Sequence, residues 1–259
     1  MTPEENQASP IGILSAFRPE VSALAGRLSS PKKTHIGGRR AWHGRLGGAG
    51  LVVLAGGMGP EKSAASARAL IQRGVSSLLC VGAAGALDDN LEVGDLVVAE
   101  WVFSAGGSQA PTPCDRDWVE RAKGLAAEKE FRMAAGGLVS VEEPLLTPED
   151  KARLRSVTVR PVGVRPDAGA LAVDMESAAA ADQASGVPFL AIRVITDDSR
   201  TALPDLRSVW RKPGRLLADG AGFLARVGPM RRSLLRLQEF LGLLLHESTP
   251  AGRGGAQPD

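Results

Sequence analysis

The sequence predicts an α/β fold built around a sheet with parallel strands. Short apolar runs that are typical of buried strands occur at 11–16, 51–54 and 77–81, and stretches with helical spacing lie between them. Glycine-rich turns follow the second and third runs. Strand, glycine turn, helix and strand in that order imply parallel neighbours joined by right-handed crossovers.

The first half of the chain supplies the elements on which this prediction depends. The strand at 11–16 precedes a helix at 20–28, and residues 31–50 form a hairpin or exposed loops with two Gly-Gly turn signals. A glycine turn at 56–59 leads into an Ala-rich helix. A second turn, at 82–85, follows the third strand.

The second half continues the alternation of strands and helices. It predicts a strand at 95–99, a helix at 118–130, a strand at 138–141, a helix start with proline first at 147–150, a helix at 177–185 and a strand at 189–195. Loops are predicted at 104–117 and 158–169.

The C-terminal part differs in character from the rest. Residues 11–204 are predicted to form one domain, 205–248 a helical extension of it, and 249–259 a disordered tail. Leucines recur at helical spacing among arginines in the extension. A basic amphipathic helix can lie on a membrane surface, but such a stripe more often packs on its own domain or on a partner subunit, and we favour packing.

Composition excludes several classes of protein. The 259 residues carry a net charge of +2, 44% are hydrophobic and 23% are charged, which is typical of a globular protein. Nucleic acid is not an expected partner, because basic residues are dispersed and tyrosine is absent. Two cysteines, a polar N-terminus and no apolar run of membrane-spanning length predict a cytoplasmic location. The three histidines stand apart, so neither a metal nor another cofactor is predicted.

Two segments place carboxylates beside apolar, strand-like sequence: Val173-Asp174-Met175-Glu176-Ser177 and Arg193-Val194-Ile195-Thr196-Asp197-Asp198. A buried carboxylate is costly unless it is hydrogen-bonded or neutral, so two such groups indicate a functional site. Two acids in different environments can do different work, one accepting hydrogen bonds from a diol and the other delivering a proton. This division predicts cleavage of a ribosyl bond.

An ordered series of motifs over about residues 11–200 resembles the purine nucleoside phosphorylase and nucleosidase superfamily. The motifs are Ile11-Gly12-Ile13, Gly57-Met58-Gly59, Gly82-Ala83-Ala84-Gly85-Ala86-Leu87, Val93-Gly94-Asp95, Val173-Asp174-Met175-Glu176 and Thr196-Asp197. The resemblance implies a three-layer phosphorylase/hydrolase-like fold, a mixed, mostly parallel sheet flanked by helices, here with extra C-terminal helices. It also implies a homodimer or larger homo-oligomer, and an enzyme that cleaves an N-glycosidic bond with phosphate or water.

Three positions indicate which acceptor is used. Phosphorylases that this chain resembles carry an arginine and a serine where Cys80 and Ala83 stand, because phosphate needs cationic and hydroxyl donors. Methylthioadenosine nucleosidases place a water-activating glutamate where Glu20 falls, although they have a serine at the position of Gly56. The resemblance therefore implies water as the nucleophile.

The resemblance also implies a role for each acid. Asp197, held protonated by its apolar strand, would donate a proton to purine N7, and Glu176 would accept both ribose hydroxyls. Met175 would lie against the ribose. Glu20 would deprotonate a water on the opposite face of the sugar, as carboxylate bases do in other glycosidic hydrolyses. The alternative for Glu20 is an acid that merely stabilises the start of its helix.

Further substrate contacts are expected from the glycine turns and from one loop. Backbone at Gly57, Gly59, Ala84 and Gly85 would approach the ligand. Family members place an aromatic residue where Pro144 falls, followed by a residue whose backbone reads adenine, here Leu145.

The nature of the nucleoside is suggested by three features. The Asp174-Met175-Glu176-Ser177 motif, Ala202-Leu203-Pro204 soon after Asp197, and the Arg/Leu-rich extension look most like the hopanoid-associated branch. Proteins of that branch are thought to release adenine from adenosylhopane. A lipid-bearing nucleoside would suit a peripheral membrane contact through the C-terminal helices. The alternatives are a methylthioadenosine or S-adenosylhomocysteine nucleosidase, a true phosphorylase, and a protein that binds nucleosides without turning them over.

Overall fold

A computed structural model describes the residues 9–106, 110–157, 169–202 and 216–246. Three predicted features fall wholly or largely elsewhere. Most of the loop at 158–169, the first part of the extension up to residue 215 and the tail at 249–259 lie outside the described residues.

The described residues alternate strands and helices as the sequence predicts. The strands are β1 (Ile11–Ser15), β2 (Ser29–Ile36), β3 (Arg39–Leu46), β4 (Ala49–Ala55), β5 (Ser77–Ala86), β6 (Leu96–Ser104), β7 (Thr112–Pro113), β8 (Met133–Ser140), β9 (Ala170–Asp174) and β10 (Phe189–Asp197). The helices are α1 (Arg18–Gly26), α2 (Pro60–Ile71), α3 (Arg116–Glu128), α4 (Pro148–Val157), α5 (Ser177–Ala181) and α6 (Leu216–His246).

The strands form one mixed sheet in the order β10-β6-β8-β9-β5-β1-β4-β3-β2, with β7 on β6. Strand β10 also pairs with β5, so the five strands β5, β9, β8, β6 and β10 close on themselves. Strand β1 runs parallel to both β4 and β5, and β5 runs parallel to β10. The α/β prediction with a mixed sheet flanked by helices is confirmed, and the carboxyl ends of β1, β5 and β10 meet at one edge.

The glycine signals in the basic N-terminal stretch mark real turns. Gly37 and Gly38 both adopt positive φ, +56° and +76°, between antiparallel β2 and β3. Two successive residues with positive φ are what a tight hairpin turn with the right twist requires. The hairpin expected at 31–50 is therefore present.

The glycine turn predicted at 82–85 is wrong, because β5 continues through it to Ala86. The small residues serve a different purpose. A Cβ atom on Gly82 would lie 2.6 Å from a guanidinium nitrogen of Arg193, and one on Gly85 would lie 2.8 Å from Oδ2 of Asp197. Glycine is needed here because neighbouring side chains fill the space, not because the chain turns.

The first glycine turn is confirmed. Gly57 and Gly59 have φ values of +90° and +98°, and α2 begins directly after them at Pro60. The helix predicted at 177–185 is shorter than expected and ends at Ala181.

The C-terminal extension contains one described helix, α6, whose apolar stripe is buried. Leu237, Phe240, Leu241, Leu244 and Leu245 are fully buried, and the helix packs on α1, α3 and β10. The predicted packing on the parent domain is thereby confirmed for this part of the stripe. Among the helices that the structure describes, none has the length and apolar character needed to cross a bilayer.

Candidate active site

A cavity of about 250 Å³ opens at the carboxyl edge of the sheet. The predicted site residues that line it are Glu20, Ala84, Gly85, Leu145, Met175, Glu176 and Asp197. Gly57 and Gly59 do not line it, but Met58 between them does. The cavity thus brings together Glu20, Glu176 and Asp197, which lie far apart in the sequence, and Asp174 lines it as well.

Glu20 lies at the start of α1 and is almost completely buried. Its Oε2 accepts hydrogen bonds from the Ser15 hydroxyl at 2.6 Å and from the Phe17 backbone N–H at 2.9 Å. Its Oε1 accepts from the backbone N–H of Ala83 at 3.0 Å. The helix-stabilising role considered for Glu20 is real, since the Phe17 bond caps α1, and it coexists with a place on the cavity wall.

Glu176 follows β9 and is also buried. Its Oε1 accepts a hydrogen bond from the Gly59 N–H at 2.9 Å, so the first glycine turn holds this acid. Burial raises the pKa of the Glu176 carboxyl, and the nearby Arg193 guanidinium opposes the rise without cancelling it. Met175 beside it is half-buried and lines the same cavity.

Beneath Glu176 lies a buried ion pair between Asp174 and Arg193. Arg193 Nε donates to Asp174 Oδ2 at 2.7 Å, and neither side chain is more than 1% exposed. The same guanidinium donates to the Ser177 hydroxyl at 2.9 Å and contacts Cys80 Sγ at 3.2 Å. Burial lowers the pKa of Arg193, but Asp174, Cys80, Glu176 and Glu20 together outweigh burial, so the pKa is raised.

Cys80 therefore packs where the resemblance expects the arginine of a phosphorylase. Burial raises the pKa of its thiol to about 11, which keeps it uncharged near neutral pH. The structural role expected for this cysteine fits its contact with Arg193.

Asp197 ends β10, and its carboxyl group has two hydrogen-bond donors. Oδ2 accepts a hydrogen bond from Lys151 Nζ, and Oδ1 accepts from the Thr196 hydroxyl at 3.2 Å. Lys151 belongs to α4 and its side chain is only 1% exposed. The apolar strand expected to hold Asp197 protonated is therefore not its whole surroundings, because an ammonium group also contacts its carboxyl group.

Lys151 cannot be recognised as a site residue from the sequence, because no motif or spacing distinguishes it from the other basic residues. The only signal was the helix start at Thr147, whose hydroxyl accepts from the Asp150 N–H at 3.1 Å. That cap fixes where α4 begins, and hence that Lys151 lies in its first turns. The pairing of Lys151 with the distant Asp197 cannot be predicted from their spacing in the sequence.

Glu20 and Asp197 contact the same strand at different points. Glu20 is bonded to Ala83, whereas Asp197 pairs in register with Gly85. Two residues of extended chain span about 7 Å. The two acids therefore reach β5 at points two residues apart. Among the described residues, no group of His, Cys, Asp and Glu side chains is arranged to hold a metal ion.

A partly enclosed cavity that brings buried carboxyl groups to the ends of parallel strands is typical of the active site of an α/β enzyme. The chain belongs to the phosphorylase superfamily, whose family model matches residues 10–207. The prediction of an enzyme from this superfamily is thereby confirmed.

Curated relatives match this chain in sequence, and solved structures match it in fold. A 5'-methylthioadenosine/S-adenosylhomocysteine nucleosidase of Glaesserella parasuis is 29% identical over 202 residues, covering 72% of this chain and 85% of the relative. The nucleosidase of that type from Neisseria meningitidis, solved in complex with methylthio-immucillin-A, aligns with a TM-score of 0.75 over 93% of this chain and 100% of that one, at 19% identity. The futalosine hydrolase of Helicobacter pylori aligns with a TM-score of 0.73 over 92% of this chain and 98% of that one, at 22% identity.

Proposed function

We propose that this chain is a nucleosidase that hydrolyses the N-glycosidic bond of a purine nucleoside. The observation that carries the proposal is the meeting of Glu20, Glu176 and Asp197 on one cavity. Each acid has a different set of neighbours, which is the condition for giving them different roles. The names of the curated relatives, which are nucleosidases, support the same reading.

In the proposed reaction the C1′–N9 bond breaks and its electron pair passes to the purine. Asp197 gives a proton to N7, so the base leaves without negative charge. Glu176 accepts hydrogen bonds from both ribose hydroxyls. Glu20 takes a proton from a water molecule as its oxygen bonds to C1′. The products are the free base and a free ribosyl sugar.

Water rather than phosphate is supported by the charges around the cavity. Glu20 and Glu176 both line the cavity, where their carboxylates would repel an anion. Arg193 is buried against Asp174, and Lys151 is the one cation among the described residues that line the cavity. Because phosphate binding needs cationic donors aimed at its oxygens, this lining favours a neutral nucleophile.

The substrate that we propose is adenosylhopane, with adenine as the product and a role in making hopanoid lipids. Phe17 and Met58 line the cavity although they are 46% and 44% exposed, which leaves an apolar rim at the mouth. A large apolar 5′ substituent could cover this rim and shield it from water. The purine would lie near Leu145, in the half-buried part of the lining.

A methylthioadenosine or S-adenosylhomocysteine nucleosidase is an equally supported second candidate. Curated relatives with that name align over 72% of this chain, and a small thioether would also suit the apolar rim. A phosphorylase is less well supported because acids line the cavity. A protein that binds nucleosides without turnover would not need both Glu20 and Asp197.

We also propose that the chain acts in the cytoplasm as a homodimer or larger homo-oligomer. A peripheral membrane contact through α6 is part of the adenosylhopane proposal. Met230 and Leu235 are exposed on that helix at 44% and 45%, and Arg231 and Arg232 are exposed beside them. Apolar and basic side chains together are what an anionic lipid surface attracts.

The test is adenine or hypoxanthine release from adenosylhopane, methylthioadenosine and inosine, each measured with and without phosphate. The proposal expects phosphate-independent release that is fastest from adenosylhopane. Faster release from methylthioadenosine would favour the second candidate. Release that requires phosphate would overturn the hydrolase assignment, and no release from any substrate would favour a binding protein.

A further inference from the structure

Lys151 is a fully buried ammonium group that the proposed reaction does not yet use. Its side chain is 1% exposed, yet it contributes to the cavity lining. Removing an ammonium from water costs several kcal/mol unless charged or polar partners compensate. Lys151 therefore needs nearby partners that stabilise its charge.

Two acceptors hold the Lys151 ammonium, and both lie at the end of β10. They are the Asp197 carboxylate and the backbone carbonyl of Asp198. An ammonium has three N–H donors, and these contacts use two of them. The carbonyl contact matters because it fixes the position of Nζ independently of the protonation of Asp197.

The other buried cation among the described residues cannot do the same work. Arg193 is bonded to Asp174, and a guanidinium does not release a proton in proteins. Lysine, by contrast, can give up a proton when water is excluded from its surroundings. Asp197 therefore has one neighbour that can both hold its carboxylate and supply its proton.

We propose that Lys151 is a positioning residue that orients Asp197 and supplies the proton which Asp197 passes to the purine, an inference that rests on the proposed function. When the nucleoside expels water, the N–H bond of Lys151 breaks and an O–H bond forms on Asp197 Oδ2. Asp197 then gives a proton to N7 as the C1′–N9 bond breaks. Glu20 gains the proton of the attacking water. After product release, solvent carries one proton from Glu20 back to Lys151, and every charge is restored.

The experiment compares Lys151→Met and Lys151→Arg with the wild-type enzyme on two substrates. One is the adenine nucleoside that the wild-type enzyme cleaves fastest. The other is 4-nitrophenyl riboside, whose leaving group departs as a stable anion and needs no proton. Lys123→Met, on the surface of α3 where the lysine is 41% exposed, is the matched control.

The expected result depends on the leaving group. Lys151→Met should lower kcat for adenine release by about 10²–10⁴-fold, the usual contribution of general acid catalysis, and leave nitrophenol release at its wild-type rate. Lys151→Arg should show the same split, because arginine keeps the charge but does not give up its proton. Lys123→Met should match the wild-type enzyme on both substrates.

Two outcomes would overturn the inference while leaving the proposed function intact. Equal slowing of both substrates would mean that Lys151 only maintains the site. Wild-type adenine release in Lys151→Arg, with an unchanged pH profile of kcat, would mean that charge alone suffices. If Lys151→Met does not fold, as judged by circular dichroism, the Lys151→Arg result decides. A wild-type enzyme that releases no base from any nucleoside would instead overturn the proposed function, and the inference with it.

Discussion

The Glu20 carboxylate accepts a hydrogen bond from the backbone N–H of Ala83 at 3.0 Å, although the two residues are 63 positions apart. This bond ties the start of α1 to the middle of β5. Gln238 of α6 holds the same end of α1, since its side-chain amide donates to the Pro19 carbonyl at 3.0 Å. Glu20, which we propose activates the water, is therefore held in place through α1, β5 and α6.

Replacing Asp197 by Asn should remove the proton donor while preserving the shape of the site. We expect kcat for adenine release to fall by about 10²–10⁴-fold. The melting temperature should show that the variant is folded, because an amide oxygen can still accept from Lys151. Asp182→Asn, on an exposed acid just after α5, is the control and should keep full activity. Full activity of Asp197→Asn would refute its assignment as the acid.

Replacing Glu176 by Gln should weaken substrate binding and stabilise the fold at the same time. Burial raises the pKa of this carboxyl group, so the wild-type protein loses stability as rising pH ionises it in the folded state. Below its unfolded pKa the carboxyl is neutral in both states, and the variant should gain little there.

The measurement is the melting temperature of both proteins at pH 4 and pH 8. We expect the variant to melt at about the wild-type temperature at the lower pH and a few degrees higher at pH 8, about 2–4 °C for a change of ~1 kcal/mol in a chain of this size. A variant that is less stable at pH 8 would show that the Glu176 carboxylate stabilises the fold.

Replacing only one partner of the buried Arg193–Asp174 pair should lower the free energy of unfolding. Arg193→Met leaves the Asp174 charge without its partner, and we expect a loss of about 3–5 kcal/mol in the free energy of unfolding. The double variant Arg193→Met/Asp174→Asn removes both charges and should recover part of that loss. The coupling energy between the two residues is obtained from urea unfolding of the wild type, both single variants and the double variant. Strictly additive losses would contradict a direct interaction.

Gly56 stands where methylthioadenosine nucleosidases are expected to have serine, and this chain has no room for one. A Cβ atom there would lie 2.6 Å from Ser66 Oγ and 2.8 Å from Leu14 Cδ1. Gly56→Ser should therefore lower the free energy of unfolding by about 1–3 kcal/mol through overpacking. Gly106→Ser is the control, because a Cβ at Gly106 meets nothing within 4 Å. Equal melting temperatures for the two variants would show that the space around Gly56 can open.

The sequence predicted the acids of the site better than their surroundings. Glu176 and Asp197 stand in recognisable motifs, Glu20 falls where the resemblance places a glutamate, and each is on the cavity. The motif at 82–85 was assigned to a turn because glycine usually marks one, whereas in β5 it makes space for the side chains of Arg193 and Asp197. Lys151 could not be found from the sequence, because its pairing with Asp197 depends on how α4 packs against the end of β10.

The most direct test of the central claim identifies the sugar that is formed with the base. The wild-type enzyme would be given its best nucleoside in buffer with excess inorganic phosphate, and the reaction followed by ³¹P NMR together with chromatography of the released base. Hydrolysis predicts one equivalent of free ribosyl sugar per base and no new phosphate ester signal. A sugar phosphate signal that grows in step with the base would contradict it.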